Sequence, residues 1–299
     1  MDGINGIINV NKAIGMTSHD VVSRVRRLFH QKRVGHTGTL DPLASGVLPI
    51  CAGQGTRVAE YLSEEGKAYQ AEIIFGAVTD TYDAEGAVIR TGDTSTLSLA
   101  HIEEVLPDFS GPQMQMPPRY SAIKIQGQPA YKRARAGEDV TMETRAIEIY
   151  HLAVLQWQAP RLVLAIECSK GTYIRSLAYD LGERLGCGAY LAALVRTRSG
   201  PFLLSESIAL EQLAEAIEHG DATRYIFPPD SALQQYPALT LPAAIIERVQ
   251  HGNAFTNPES MAQPSHSLAR IYDEDGHFVA IASWENEEHQ WQPKKVFER

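Results

Sequence analysis

Cysteine is scarce in this chain. Cys51, Cys168 and Cys187 are an odd number, far apart, and no two form a C-x-x-C pair. They write neither a disulfide framework nor a thiolate metal site, and fit reduced thiols in a cytoplasmic protein. No apolar run approaches the roughly 18 residues of a membrane-spanning helix. The first residues carry no basic stretch ahead of an apolar one, so no secretory signal is expected. There is no glycine-rich dinucleotide fingerprint, no metal-ligand spacing, no internal repeat, no low-complexity tract and no long basic tail.

Net positive charge is also missing. Lys and Arg number 27 against 36 Asp and Glu, a formal charge of −9. Residues 1–200 carry 21 of each sign and residues 201–299 carry 6 against 15, so the last third holds the whole imbalance. Steering of a partner depends on local patches rather than totals. Three basic clusters stand in the neutral part: Arg24, Arg26, Arg27, Lys32 and Arg33; then Arg119, Lys124, Lys132, Arg133 and Arg135; then Arg196 and Arg198. One such cluster is ordinarily a solvated face. Three in one neutral segment predict a surface for a polyanion. A length of 299 residues and 44 % hydrophobic content allow one large domain or two, with a sizeable core.

Residues 4–10 read as a strand, and Thr17 or Ser18 as the cap of a helix that buries Val21, Val22, Val25, Leu28 and Phe29. Tyr69, Ala71, Ile73 and Phe75 alternate on one face of another strand. The polar run 79–86 reads as a turn whose acids lack calcium-loop spacing, so no metal is expected there. A helix is expected near 98–106. Pro117-Pro118-Arg119-Tyr120-Ser121-Ala122 is too rich in proline and polar groups for a core, and 119–145 reads as a basic surface insertion interleaved with Tyr120 and Tyr131. Arg161–Cys168 is a strand that leads through Ser169-Lys170-Gly171-Thr172-Tyr173-Ile174-Arg175 into a helix ended by Gly186. Tyr173 and Arg175 therefore fall at a helix N-terminus, a favoured place for anion handling. A further helix spans about 208–219, residues 223–236 read as a linker, and 237–299 as a small acidic β-rich domain.

The most distinctive stretch is Gly35-His36-Thr37-Gly38-Thr39-Leu40-Asp41-Pro42-Leu43-Ala44-Ser45-Gly46-Val47-Leu48-Pro49. It sets one carboxylate among three glycines and two prolines. The glycines admit close backbone approach, and Pro42 keeps Asp41 out of helical geometry. Leu40, Leu43, Val47 and Leu48 would anchor the loop. An isolated Asp-Pro is most simply a turn, but a rigid, apolar-anchored loop that presents one Asp is a platform for chemistry.

This stretch resembles the GHxGxLDPxAxGxLP motif of TruB-type pseudouridine synthases. Lys12–Ser18, Gly66–Tyr69, Pro117–Lys124 and Cys168–Arg175 agree in the same order, so the resemblance covers about residues 4–200. Position 13 is Ala where the family has Pro. The resemblance implies an α+β fold: a mixed β-sheet flanked by helices, a thumb-like insertion at about 119–145, and a small β-rich C-terminal PUA-like domain. The last is suggested by Glu247–Phe255. Residues 1–232 would be the catalytic domain and 237–299 an RNA-binding domain. By the same resemblance Asp41 is the catalytic nucleophile, Tyr69 the active-site aromatic and Arg175 the ion-pair partner of Asp41. Lys12, His36, Tyr173 and Leu194 would line the uridine pocket. The implied activity is isomerisation of a T-loop uridine of tRNA, position 55, by a cytoplasmic monomer. No cofactor, metal, guide RNA or membrane is implied.

The residue types agree with that chemistry. One carboxylate can form a covalent intermediate, a nearby Arg would favour its ionised form, and Tyr69 could stack on the base near C5. A uridine in a folded loop must first be flipped out, at a cost of a few kcal/mol. A hydrolytic glycosidase would need two cooperating carboxylates, and the Asp41 motif holds one. The remaining alternatives are a guide-RNA-dependent synthase subunit and a non-catalytic RNA-binding or RNA-folding protein.

Overall fold

A computed structural model describes residues 3–121, 123–125, 127–130, 133, 136, 138, 141–256 and 266–297. Tyr131, Lys132 and Arg135 of the expected insertion, and Pro258 and Pro264 of the C-terminal segment, lie outside the described residues. Strand β1 (Gly6–Lys12) leads to helix α1 (Ser18–Leu28), then β2 (Val34–His36), β3 (Ala44–Ala52), α2 (Ala59–Glu64) and β4 (Lys67–Phe75). The hairpin β5 (Ala77–Thr79) and β6 (Val88–Thr91), helix α3 (Leu99–Val105) and β7 (Gly111–Gln115) come next. Two short strands, β8 (Lys124–Ile125) and β9 (Gln128–Pro129), precede the long β10 (Arg145–Gln158), β11 (Arg161–Cys168), α4 (Ile174–Arg184) and β12 (Ala189–Ser199). The chain continues through β13 (Phe202–Leu203), β14 (Ile208–Ala209), α5 (Leu210–Glu218) and β15 (Ile226–Phe227). It ends with β16 (Ala238–Thr240), α6 (Ala243–Gln250), β17 (Leu268–Tyr272), β18 (Phe278–Glu285) and β19 (Gln290–Val296).

The main sheet has eleven strands in the order β14-β1-β3-β12-β4-β11-β10-β7, with β13, β15 and β2 paired to its flanks. It is mixed: β1–β14 and β3–β12 run parallel and the other pairs antiparallel. Strand alternation sends successive side chains to opposite faces. Ile8, Val10, Leu48 and Ile50 face Val21 and Val25 of α1, Leu177 and Leu181 of α4, and Leu213 of α5. Ile7, Val47 and Cys51 point the other way, against Leu62, Ala232, Leu233, Ile281 and Phe297. This second core joins the main sheet to the small sheet β16-β17-β18-β19, which has its own interior around Leu241, Val249, Ile271 and Trp291.

Residues 223–236 therefore are not a free linker. Ile226 and Phe227 pair antiparallel with β1, and Ala232 and Leu233 are fully buried, because two sheets meet there and need apolar filler. The proline-rich stretch also differs from its sequence reading: Pro117, Pro118 and Ser121 are buried. Proline lacks an N–H, so burying it strands no donor, and Met116 O accepts from Ser176 Oγ at 2.7 Å. Among the described residues no helix is long and apolar enough to cross a membrane.

Candidate active site

Asp41 lies on the loop between β2 and β3, and that loop is fastened along its length. Thr17 caps α1 through a reciprocal pair with Asp20, and the next residue, Ser18, grips Leu40. Its Oγ donates to Leu40 O at 3.0 Å and accepts from Leu40 N at 2.8 Å. Gly15 N donates to Pro42 O at 2.8 Å, and Ala44 N closes the turn on Asp41 O at 3.0 Å. From the far side, Arg196 of β12 donates to Val47 O at 2.7 Å and Gly38 O at 3.0 Å, bridging both ends of the loop. Gly46 has φ +101° and lies so close to β12 that a Cβ would fall 2.3 Å from Arg196 O, so a larger residue would break the β3–β12 register.

Arg175 meets this loop from the first turn of α4. Tyr173, the residue before that helix, is held by a two-way amide clamp: its N–H donates to Gln115 Oε1 at 2.8 Å and its carbonyl accepts from Gln115 Nε2 at 3.0 Å. Arg175 Nη2 lies 2.9 Å from Asp41 Oδ2 and donates to Tyr120 O at 2.9 Å. Its Nη1 lies 3.4 Å from Asp83 Oδ2 and donates to Thr81 O at 3.3 Å. The guanidinium is thus bracketed by two carboxylates and two carbonyls. Burial pushes the Asp41 carboxyl above its ordinary pKa, opposed by Arg175 and reinforced by Asp83. Arg175 alone would lower it, but desolvation outweighs the cation, which corrects the sequence-based expectation of a depressed value.

Asp41 and Arg175 stand in a wall shared by two cavities. The inner one, about 290 Å³, is lined by Asp41, Tyr69, Tyr173, Leu194, Lys67 and Arg196 among others. The outer one, about 660 Å³, is lined by His19, His36, Asp83, Tyr120 and Ser121 among others. Of the residues expected at the pocket, Tyr69, Tyr173 and Leu194 come together with Asp41 on the inner wall. Tyr69 is buried opposite Arg196 in the β4–β12 register, with its hydroxyl in hydrogen-bonding reach of that guanidinium. Burial raises the Tyr69 and Tyr173 phenols above their ordinary pKa.

His36 faces the outer cavity instead, its pKa lowered by burial, then Arg196 and His19. Lys12 is fully buried beneath the loop. Its Nζ donates to Ala13 O at 2.9 Å and Met16 O at 2.7 Å, which stiffens the turn whose Gly15 holds Pro42. Burial pushes the Lys12 amine down to about 8.

Two further site residues escaped the sequence reading. Asp83 lies in a run whose sequence reads only as a polar turn, and the density of acids there is the sole signal. Arg196 was counted with Arg198 in a surface cluster, but it is buried, and Arg198 pairs with Glu167 at 2.8 Å. The third basic cluster is therefore not a polyanion-binding face. Asp273, Asp275 and His277 form one trio with metal-like proximity, at the β17–β18 turn. Asp273 Oδ1 there accepts from the backbone N–H groups of Asp275 and His277, which is a turn-stabilising role.

Comparison with known proteins places the chain in a family. Residues 26–174 match the family model "TruB family pseudouridylate synthase (N terminal domain)", and residues 175–234 match "tRNA pseudouridylate synthase B C-terminal domain". A protein named tRNA pseudouridine synthase B from Pseudomonas putida is 44 % identical over 281 residues, covering 93 % of this chain and 91 % of its own length. One of the same name from Geobacter sulfurreducens is 47 % identical over 249 residues, 83 % of this chain and 82 % of its own. Among solved structures, an H/ACA RNP bound to a substrate RNA containing 2'-deoxyuridine matches with TM-score 0.76 at 25 % identity, over 98 % of this chain and 85 % of that one. A Cbf5-Nop10-Gar1 complex matches with TM-score 0.75 at 27 % identity, over 98 % and 84 %. The chain belongs to the TruB family of pseudouridylate synthases.

Proposed function

We propose that this chain isomerises a uridine of tRNA to pseudouridine, at T-loop position 55, with Asp41 as the nucleophile. The Asp41–Arg175 pair on a cavity wall that also carries Tyr69 is the observation that carries this reading. The name shared by the relatives at 44 and 47 % identity supports tRNA as the substrate. The proposal includes a catalytic unit of residues 1–232, an RNA-binding unit of residues 237–299, and a monomer acting in the cytoplasm.

The uridine leaves its stack and enters the inner cavity. Its base lies against Tyr69 and Leu194, held in the cavity by those contacts, while Asp41 forms a bond to the nucleotide that breaks again, returning the carboxylate, by the time the product leaves. The N1–C1′ electron pair departs with the base, and a C5–C1′ bond replaces it after the base turns. C5 loses its proton to solvent and N1 gains one, so the isomerisation balances without an oxidant or an external group. Arg175 keeps the Asp41 carboxylate aimed into the cavity. Tyr69, buried and pinned by Arg196, lies where the C5 proton departs.

The solved neighbours are an H/ACA RNP and a Cbf5-Nop10-Gar1 complex, so a second reading makes this chain a subunit of such an assembly. Incubating the purified chain alone with tRNA tritiated at uridine C5 separates the two. One tritium released per tRNA, lost when cytidine replaces the T-loop uridine, is the expected result. Release that requires an added RNA or protein would overturn self-sufficient action.

A further inference from the structure

The wall of the 290 Å³ cavity holds two cations, Lys67 and Arg196, of which Lys67 enters no step above. Lys67, the first residue of β4, is 7 % exposed, and Arg196, on neighbouring β12, is 1 % exposed. Both line the cavity beside Tyr69. Lys67 Nζ donates to Ser63 O at 3.1 Å and Glu65 O at 2.6 Å, the carbonyls that end α2. Arg196 donates to Val47 O, Gly38 O and Thr39 O. All five of these partners are neutral carbonyls. Among the described residues neither cation forms an ion pair, and the nearby acids are engaged elsewhere: Glu64 with Lys170, Glu65 with Gln235 and Glu167 with Arg198. Thr37 Oγ1, on a residue of the same wall, is buried with no hydrogen-bond partner among the described residues.

The cavity is therefore polarised. Its wall carries one carboxylate, Asp41, already paired with Arg175, and two further positive charges, Lys67 and Arg196, with no carboxylate on them. A buried charge without a counter-charge is costly, and a chain that keeps two of them side by side retains them against that cost. A neutral occupant that becomes electron-rich would benefit from this arrangement, because fixed charges act strongly where water is excluded.

We propose that Lys67 is the electrostatic catalyst of the base pocket, with Arg196 as its positioning residue. Its ammonium takes up negative charge that develops on the uracil oxygens and disfavours cytosine in the same place. This rests on the isomerase reading above. Breaking N1–C1′ leaves the electron pair on the ring, spread over N1, O2 and O4. Addition of a carboxylate to the ring sends it to O4 instead. Either route loads the exocyclic oxygens, and the charge is discharged when C5 bonds to C1′ and its proton leaves. Cytosine carries an amino donor where uracil has O4, and an ammonium offers only donors, so the two would face each other unpaired.

Lys67 could instead serve only to tie off α2, and the test must tell these apart. The single-turnover rate of tritium release and the tRNA dissociation constant are measured for wild type, Lys67→Met and Lys67→Arg. Lys67→Met is expected to lower the rate roughly 10²-fold, the scale of losing one charge-stabilising donor, with tRNA affinity within about threefold. Lys67→Arg, which keeps the charge, restores most of the rate. Burial, then Arg196 from β12, pushes the Lys67 amine down to about 8, against Cys168 from β11, Glu65 just past α2 and Glu64 at its end. Measured in a Lys12→Arg background, because the Lys12 amine beneath the loop also stands at about 8, the rate should therefore fall above about pH 8, and that fall should vanish when Lys67→Arg is added, since guanidinium stays charged.

A wild-type rate in Lys67→Met overturns the proposal, as does equal loss in both variants with a matching drop in melting temperature. A high-pH fall that persists when Lys67→Arg is added to Lys12→Arg overturns it too. No release from wild type would sink the isomerase reading itself, whereas an active wild type with an indifferent Lys67→Met sinks only this inference.

Discussion

Arg175 is the buried member of its ion pair with Asp41: its side chain is 7 % exposed and that of Asp41 40 %, across 2.9 Å. The cation is fixed by its surroundings, and the carboxylate is the partner free to meet a substrate. An exposed pair would contribute little. Here the guanidinium is committed to Asp83, Thr81 O and Tyr120 O before Asp41 is counted.

That asymmetry sets the acid side of the pH profile. In the proposed role Asp41 works as a carboxylate, and its pKa stands above the ordinary value because burial outweighs Arg175. The rate should fall as pH drops through this raised value, since protonation removes the nucleophile. Arg175→Gln deletes the main influence holding the pKa down, so the acid limb should move up by about one to three pH units. An acid limb that does not move would mean that Arg175 has no electrostatic hold on Asp41.

Asp83 anchors the other edge of the guanidinium from a fully enclosed position. Asp83→Ala leaves that edge without its counter-charge, and breaking a buried pair from one side costs about 3–5 kcal/mol. Thr81 O and Asp41 remain to Arg175, so the loss should lie at the lower end. Urea unfolding monitors stability, and tritium release should drop in parallel. An unchanged unfolding midpoint would remove Asp83 from the supporting frame.

Gly46 tests the β3–β12 contact. Gly46→Ala places a methyl 2.3 Å from Arg196 O at φ +101°, whereas Gly111→Ala, at φ +83°, meets nothing within 4 Å. Both carry the backbone penalty of roughly 1–2 kcal/mol, but only Gly46→Ala should also lose activity, by displacing the Asp41 loop. Equal effects in thermal melts and turnover would show that the close approach has no consequence for the loop.

Removing residues 237–299 is expected to weaken the whole fold. Ile281 and Phe297 fill the core behind Ile7, Val47 and Cys51, and uncovering two such side chains costs about 3–6 kcal/mol. A substantial drop in melting temperature of the truncated chain is the expected result. A melting temperature equal to that of the full chain would mean that the shared core contributes nothing.

Local pattern made part of this site readable in the sequence. The Asp41 loop, the alternation Tyr69-Ala71-Ile73-Phe75 and the strand-to-helix passage before Arg175 are all short-range signals, and the structure places them as read. Asp83 was not readable because only tertiary folding brings it to Arg175. Arg196 was misread as surface because Arg198 stands two residues on, and on a regular strand the two would share a face. The register shift between them puts Arg196 opposite Tyr69 and Arg198 opposite Ala68, which separates their surroundings. Pro117 and Pro118 misled because proline content usually marks the surface. Here the carbonyls on either side, Met116 O and Tyr120 O, accept from Ser176 and Arg175.

The most direct measurement compares wild type with Asp41→Asn in tritium release from C5-labelled tRNA, alongside tRNA binding by filter retention. Asparagine keeps the size of the side chain and loses the charged nucleophile. Release should vanish in the variant while the dissociation constant stays within a few-fold of wild type. Release at an undiminished rate from Asp41→Asn would contradict the assignment of Asp41 as the nucleophile.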